Sequence, residues 1–475
     1  MQALDLIKLI LVAAIFLVAA PAAGVALKRK PNGQRLVFAL MCFMTINGLF
    51  GPGNWGLTLF SIEWYRGHTK GYHFYFNHAL AIALIVARLL ENPKDFRWLP
   101  PGLGLYLLYC LMSFVSVFNA PVKDYTFMAA HKMIFASVLL LATYNVIRTE
   151  DDLKYFLRVM VFTMLWEVLI VLKMKYLEGM YQVRGTFEHQ NPLAMYSVMI
   201  GMIFFATSLG PSFKGSNLCL AGYLVCAVIV ECTLSRAALA IFAVGSMAVL
   251  GLSIMEKPTK RRILSAAALS VIAVAGLLVT LDTIMARFND KGNESSKDLR
   301  RVMNLASREM LRDYPTGIGW NNFAHTFNPP FRYTEILNEW ITSRNMKVRE
   351  DQANPVVESH YWLLLAETGY QGFGAYLLMI GIGLWRNLRG FWFFGHRFLR
   401  CFCLGLAVGC GLNYTQSLLE RVLVQPRNLM LWLILYAMIG RIESWRREAV
   451  KQKSIARRAS PAPLRVRAPK LAAAY

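Results

Sequence analysis

Three segments hold the residues best suited to chemistry. The first is Val183-Arg184-Gly185-Thr186-Phe187-Glu188-His189-Gln190-Asn191-Pro192-Leu193-Ala194. Arg184 precedes an apolar run, and Asn191-Pro192 has the chemistry of a helix start, a capping amide followed by a residue suited to the first turn. A guanidinium beside a helix N-terminus makes an anion site; the competing reading is an arginine snorkelling at a helix end. His189 and Asn191 are supporting candidates. The second segment is Thr233-Leu234-Ser235-Arg236-Ala237, where Arg236 sits between two apolar runs with almost no loop. A charge so close to a membrane boundary is costly unless it is paired or faces a cavity. The third is Pro355-Val356-Val357-Glu358-Ser359-His360-Tyr361-Trp362, continuing through Ala366-Glu367-Thr368-Gly369. The neutral imidazole of His360 is a suitable general base near pH 7. Glu367, two turns further on, needs a partner if it lies within a membrane helix. His131-Lys132 adds positive charge, with Lys132 the member assigned to the site.

The elements that must position these residues are membrane helices. Of the 475 residues, 56% are hydrophobic and only 17% charged, and the mean hydropathy is +0.41. Soluble domains carry about 25% charge, so this composition excludes a cytosolic enzyme and points to an all-α, polytopic integral membrane protein. Apolar runs of spanning length recur from Leu4–Leu27 to Leu429–Ile442 and amount to about 12–13 transmembrane helices. The +23 net charge is read as basic loops beside anionic lipid rather than as a nucleic-acid surface, because no nucleic-acid-binding motif accompanies it. The eight cysteines all fall in apolar stretches and read as small buried hydrophobes.

Lys and Arg concentrate in alternate loops: Lys28–Arg35, Lys94–Arg97, Arg148–Lys154, Lys257–Arg262, Arg386–Arg400 and the tail after Trp445. The positive-inside rule puts these on the cytoplasmic side. Ser61–His73, Lys173–Gln190, the Ser235 link, Ala286–Ser359 and Thr415–Asn428 then face outward. The organisation expected is membrane helices over residues 1–285, a periplasmic loop over 286–359, further membrane helices over 360–445, and a basic, disordered cytoplasmic tail over 446–475. Within the long loop, Leu299, Val302, Met303, Ala306 and Met310 recur at helical spacing, which predicts an amphipathic helix over Ser296–Tyr314. No DxD, P-loop or HExxH motif appears, so no nucleotide-sugar, ATP or zinc chemistry is expected, and no cofactor or metal.

Taken in order, these segments resemble the O-antigen ligase/polymerase superfamily of bacterial envelope glycosyltransferases. Arg184-Gly185-Thr186-Phe187 with Asn191-Pro192-Leu193-Ala194 looks like the family's first arginine motif, and Ser235-Arg236-Ala237 like its Ser-Arg motif. Asp313-Tyr314-Pro315 with Gly317-Ile318-Gly319-Trp320-Asn321-Asn322-Phe323 is similar to its long-loop motif. Ser359-His360-Tyr361-Trp362-Leu363, then Ala366-Glu367-Thr368-Gly369, resembles its histidine helix, with Tyr361 where the family carries asparagine. The resemblance implies a multi-pass protein of the bacterial inner membrane with its active site on the periplasmic face and its C-terminus in the cytoplasm. It implies metal-independent transfer of a glycan from an undecaprenyl-diphosphate carrier to a hydroxyl, with lipid A-core or a growing glycan as acceptor. On that reading Arg184 and Arg236 hold the diphosphate and His360 takes the acceptor proton. Ligase and polymerase are both compatible with the motifs. A transporter of an anion or a lipid-linked glycan is the alternative of another class. It is disfavoured because the polar residues gather at the outer edge, and no paired broken segments appear as in transporters.

Overall fold

The computed structural model describes residues 3–46, 48, 55–210, 213, 215–256, 258–265, 267, 292–343, 357–395 and 398–459. The chain is an all-α polytopic membrane protein. Among the described residues, seven helices are long and apolar enough to cross a membrane: Leu4–Leu27, Lys123–Val146, Glu150–Leu177, Gln190–Ser208, Ser216–Thr233, Arg236–Glu256 and Phe398–Gln416. Leu17, Phe162, Leu169 and Met247 are exposed on their outer faces, as expected of side chains whose solvent is hydrocarbon. Most of the expected span Ile263–Ile284 lies outside the described residues.

The N-terminal span comprises α1 (Ala3–Ala13), a π-helical stretch (Ala14–Ala19) and α2 (Ala20–Leu27). Next come α3 (Pro31–Phe43), β1 (Gly56–Leu59), β2 (Tyr72–Tyr75), α4 (Phe76–Glu91) and α5 (Leu103–Phe114). The apolar run Val37–Phe60 is therefore not one helix. The sequence between α3 and β1 holds Gly48, Gly51, Pro52 and Gly53, residues that do not extend a helix. Strands β1 and β2 pair antiparallel, Gly56 opposite Tyr75 and Leu59 opposite Tyr72, and hold the 61–71 segment as a loop between them.

The bundle continues with α6 (Lys123–Val146), α7 (Glu150–Leu172), α8 (Gln190–Ser208), α9 (Ser216–Thr233) and α10 (Arg236–Glu256). The long loop supplies α11 (Gly292–Asp313), α12 (Phe323–Thr326) and α13 (Tyr333–Ser343), and the chain closes with α14 (His360–Phe393), α15 (Phe398–Gln416) and α16 (Pro426–Ala459). Helix α8 is buried on all sides. It packs against α15 at backbone distance: a Cβ added to Gly405 would lie 2.5 Å from Ile203 Cα, and one added to Gly409 would lie 2.5 Å from Met199 O. Small residues four apart allow this approach where no hydrophobic effect drives helices together.

The expected amphipathic helix is present as α11. Val302, Met303, Ala306 and Met310 bury its apolar face in a separate small core with Phe323, Phe327, Leu363 and Ala366, and Leu299 packs at its edge. The tail expected to be disordered from residue 446 is instead helical to Ala459 as part of α16. Ion pairs from Glu443 to Arg446 and Arg447, one turn apart, extend this helix. Residues 460–475 lie outside those described.

Candidate active site

The site is organised by a break in α14. Gly369 has φ 68° and ψ −171° inside the helix, a combination essentially confined to glycine. The break releases carbonyls from the helical ladder, and the long-loop motif takes them. Ile318 N donates to Ala366 O at 2.9 Å and Gly319 N to Glu367 O at 3.1 Å. Beyond the break, Tyr370 N donates to Pro315 O at 3.1 Å, and Gln371 Nε2 to Thr316 O at 2.8 Å. Loop and helix close to backbone contact here, since a Cβ on Gly317 would lie 2.5 Å from Glu367 O.

The docked loop then fastens two other segments. Asn321 clamps the hairpin loop with both ends of its amide: Thr69 N donates to Oδ1 at 3.1 Å, and Nδ2 donates to Thr69 O at 2.8 Å. Asn322 Oδ1 accepts from Val122 N at 3.1 Å, and its Nδ2 donates to Thr126 Oγ1 at 3.1 Å, which ties the loop to the start of α6. One end of the bundle thus gathers the hairpin loop, the start of α6, the long loop and the start of α14.

Within this frame Glu367 is buried and accepts from Phe323 N at 3.1 Å. Its other oxygen lies 3.1 Å from His68 Nε2. Burial holds the His68 imidazole below the usual histidine range; the Glu367 carboxylate opposes this but does not outweigh it. The contact is therefore a hydrogen bond to a neutral ring near pH 7. Lys132 is also buried; it donates to His68 O at 3.2 Å, to Thr69 Oγ1 at 3.3 Å and to Val424 O.

His360 opens α14 behind the N-cap of Ser359, whose side chain accepts from Trp362 N. Its backbone N donates to Ser417 O at 2.9 Å, which pins it to the link after α15. The ring is only 2% exposed and stands edge-on to Tyr376, with 5.2 Å between centroids. Neither ring nitrogen meets a hydrogen-bond partner among the described residues. Tyr106, Tyr109, Trp432 and Tyr376 line the narrow cavity that the ring enters. His68, Lys132 and Arg421 act on it electrostatically.

A second polar group adjoins the first. Arg300 of α11 pairs with Glu358 and, at 3.1 Å, with Glu420. Glu420 Oε1 also accepts from Asn191 Nδ2 at 2.8 Å. Burial, reinforced by Glu358, raises the Glu420 carboxyl to about 7 against the opposing pull of Arg300. The neighbouring Arg421 lies in the field of Glu358, Glu420 and Glu367, carboxylates of both groups. His189 caps α8 by accepting from Asn191 N at 3.4 Å, and it lies in the field of Glu358, Arg421 and Arg184. The helix therefore begins two residues earlier than Asn191-Pro192 suggested, and Asn191 reaches sideways to Glu420 instead of capping.

Arg184 is exposed on a turn built by α7. Glu167 accepts from Thr186 N and Thr186 Oγ1, both at 2.8 Å. Gly185 has φ 54°, and a Cβ there would lie 2.0 Å from Glu167 Oε1. The clamp fixes the turn while Arg184 points outward. Arg236 begins α10 and is half-buried, after Leu234 reverses the chain at φ 50°. The α8–α9–α10 alternation puts it at the end of the bundle that holds the start of α8. The structure thus joins Glu367 and Lys132 through His68 in one buried cluster, sets His360 in the electrostatic field of that cluster, joins Asn191 to Glu420, and places Arg184 and Arg236 at the same end. Sequence reasoning missed His68, Arg421, Glu167 and Arg300. For the first two the available signal was their place in outward-facing links; for Glu167 it was an acidic residue within an apolar run.

Residues 221–377, from within α9 to within α14, match the family model described as O-antigen ligase. The matched span contains Arg236, the long loop, His360, Glu367 and the Gly369 break, whereas Arg184, His68 and Lys132 come from the segments before it. No curated protein matches the chain. The family match supports a membrane glycosyltransferase of the O-antigen ligase superfamily acting on lipid-linked glycans, and it agrees with the resemblance carried by the motifs.

Proposed function

We propose that the chain transfers a glycan from an undecaprenyl-diphosphate carrier to an acceptor hydroxyl at the periplasmic face of a bacterial inner membrane, in the manner of an O-antigen ligase. The observation that carries this reading is His360. A buried imidazole with two unpartnered nitrogens is costly in a finished fold, and it stands beside a cationic cluster at the end that also bears Arg184 and Arg236. One ring nitrogen accepts the proton of the acceptor hydroxyl as its oxygen attacks the anomeric carbon. The bond from that carbon to the phosphate oxygen breaks, and the diphosphate leaves with the electron pair. Arg184 and Arg236 hold that developing charge through the planar guanidinium fork. Lys132 and Arg421 add positive potential, and Glu367, His68 and the docked loop keep the frame rigid. The outward orientation rests on the alternation of basic loops.

Purified lipid-linked donor and acceptor, assayed with His360→Gln, test the assignment. Glutamine keeps a hydrogen-bonding group but takes up no proton near neutrality, so transfer should drop by roughly 10²–10⁴ at unchanged thermal stability. Near-normal turnover would remove the general base. Polymerase action of the same superfamily is separated in a deletion strain. Loss of all attached glycan marks a ligase, and single repeat units left on the acceptor mark a polymerase.

A further inference from the structure

A second cavity lies at the opposite end of the bundle, between the ends of α4 and α6, the link 92–102 and the middle of α16. It encloses about 1190 Å³ including its open mouth. Arg88, Lys94, Arg97, Arg148 and Arg441 line it, against Asp95 and Glu448. Arg88 is the deepest of the charges, at 6% exposure. Its Nη1 donates to Glu91 at 2.7 Å, but its Nε and Nη2 are buried with no partner among the described residues. Arg441 Nε is likewise buried and unpartnered, while its guanidinium lies over the Tyr144 ring at 5.2 Å. The walls are fixed. Asn145 Oδ1 accepts from Arg97 N at 2.9 Å and its Nδ2 donates to Arg97 O at 3.2 Å, and the Tyr144 and Ser444 hydroxyls are 2.9 Å apart.

Unpaired guanidinium donors in a fixed, net-positive cavity call for an oxyanion, and the guanidinium fork matches phosphate. Leu99 at the lip is 69% exposed and the adjacent Trp98 is 61% exposed, offering apolar surface where a headgroup meets its acyl chains. We propose that this cavity binds a phosphate group, and that the phosphate is the headgroup of an anionic phospholipid seated between α4, α6 and α16. The alternation of basic loops puts this end in the leaflet where anionic headgroups and basic inter-helix pockets meet.

Native mass spectrometry of the purified full chain tests this, with phosphatidylglycerol, phosphatidylcholine and millimolar inorganic phosphate as probes. Phosphatidylglycerol should be retained over phosphatidylcholine by roughly tenfold and should survive added inorganic phosphate. Arg88→Gln should abolish the preference. Because Arg88 is buried, the double variant Arg97→Gln/Arg441→Gln repeats the test at the cavity mouth. Lys30→Gln, an exposed basic residue at the same end, should leave the preference intact. Binding of inorganic phosphate without phosphatidylglycerol preference would overturn the lipid assignment. A preference that survives in the double variant would overturn the site.

Discussion

The Gly369 break offers the sharpest test of how the site is held. Gly369→Ala places a side chain at φ 68°, ψ −171°, a region that costs non-glycine residues about 1–3 kcal/mol. The new Cβ would also lie 2.4 Å from Pro315 O and from Thr316 C. Both are backbone atoms, so the loop must move as a unit. Moving it forfeits the Ile318–Ala366, Gly319–Glu367 and Tyr370–Pro315 hydrogen bonds, at about 1 kcal/mol each. Strain and lost bonds together come to roughly 4–6 kcal/mol, a large effect for one methyl group. Gly374→Ala is the control. It sits in the same helix, and an added Cβ meets nothing within 4 Å, so alanine there should be neutral or stabilising by up to about 1 kcal/mol. Unfolding in mixed micelles gives the stability difference. Hydrogen exchange at the amides of Ile318, Gly319 and Tyr370 reports whether the loop has left the helix. Equal stability of the two variants, with those amides still protected, would refute the claim that the break exists to receive the loop.

Arg184→Ala and Arg236→Ala should each cost on the order of 2–4 kcal/mol of transition-state stabilisation, and Arg→Lys should restore only part of it; steady-state transfer at normal membrane levels checks this. Glu367→Ala leaves Phe323 N–H and a nitrogen of His68 unpartnered and should destabilise by roughly 2–5 kcal/mol, whereas Glu367→Gln keeps an acceptor for Phe323 and should fold; thermal melts compare them. Because the folded-state pKa of His68 is lowered by burial, the native state binds fewer protons there than the unfolded chain. That contribution to stability is complete above about pH 6.5 and is lost as the pH falls below it. The melting difference between wild type and His68→Gln should therefore narrow on acidification, and a pH-independent difference would contradict the neutral-ring assignment. In a background lacking native thiols, Thr342→Cys on exposed α13 should react with a membrane-impermeant maleimide in intact cells whose outer membrane is permeable; labelling only after lysis would invert the topology.

Much of the architecture was legible in the sequence because the bilayer imposes it. A chain with 17% charge and apolar runs of spanning length has few soluble alternatives, and the alternation of basic loops predicts which face looks outward. The α11 helix was equally readable, since Leu299, Val302, Met303, Ala306 and Met310 carry a helical period that only one buried face satisfies. Arg184, Arg236, His360 and Glu367 could be singled out because a charged or titratable group at a membrane boundary is expensive and so carries information.

The partnerships were not legible, because they join residues far apart in the chain. His68 and Glu367 are separated by 299 positions and meet at 3.1 Å only after the hairpin loop and the long loop have docked on one helix break. Nothing local to Glu367 tells whether its partner is an arginine or a neutral histidine. That depends on burial, which outweighs the carboxylate's pull on the ring. Likewise Thr186 finds Glu167 one helix back, and Asn191 turns from capping its own helix to reach Glu420. Helical period and hydropathy act over a few turns and survive in any one segment's composition. Hydrogen-bond satisfaction in a dry interior is a global condition, met by whichever distant groups packing delivers, and so only the tertiary structure decided it.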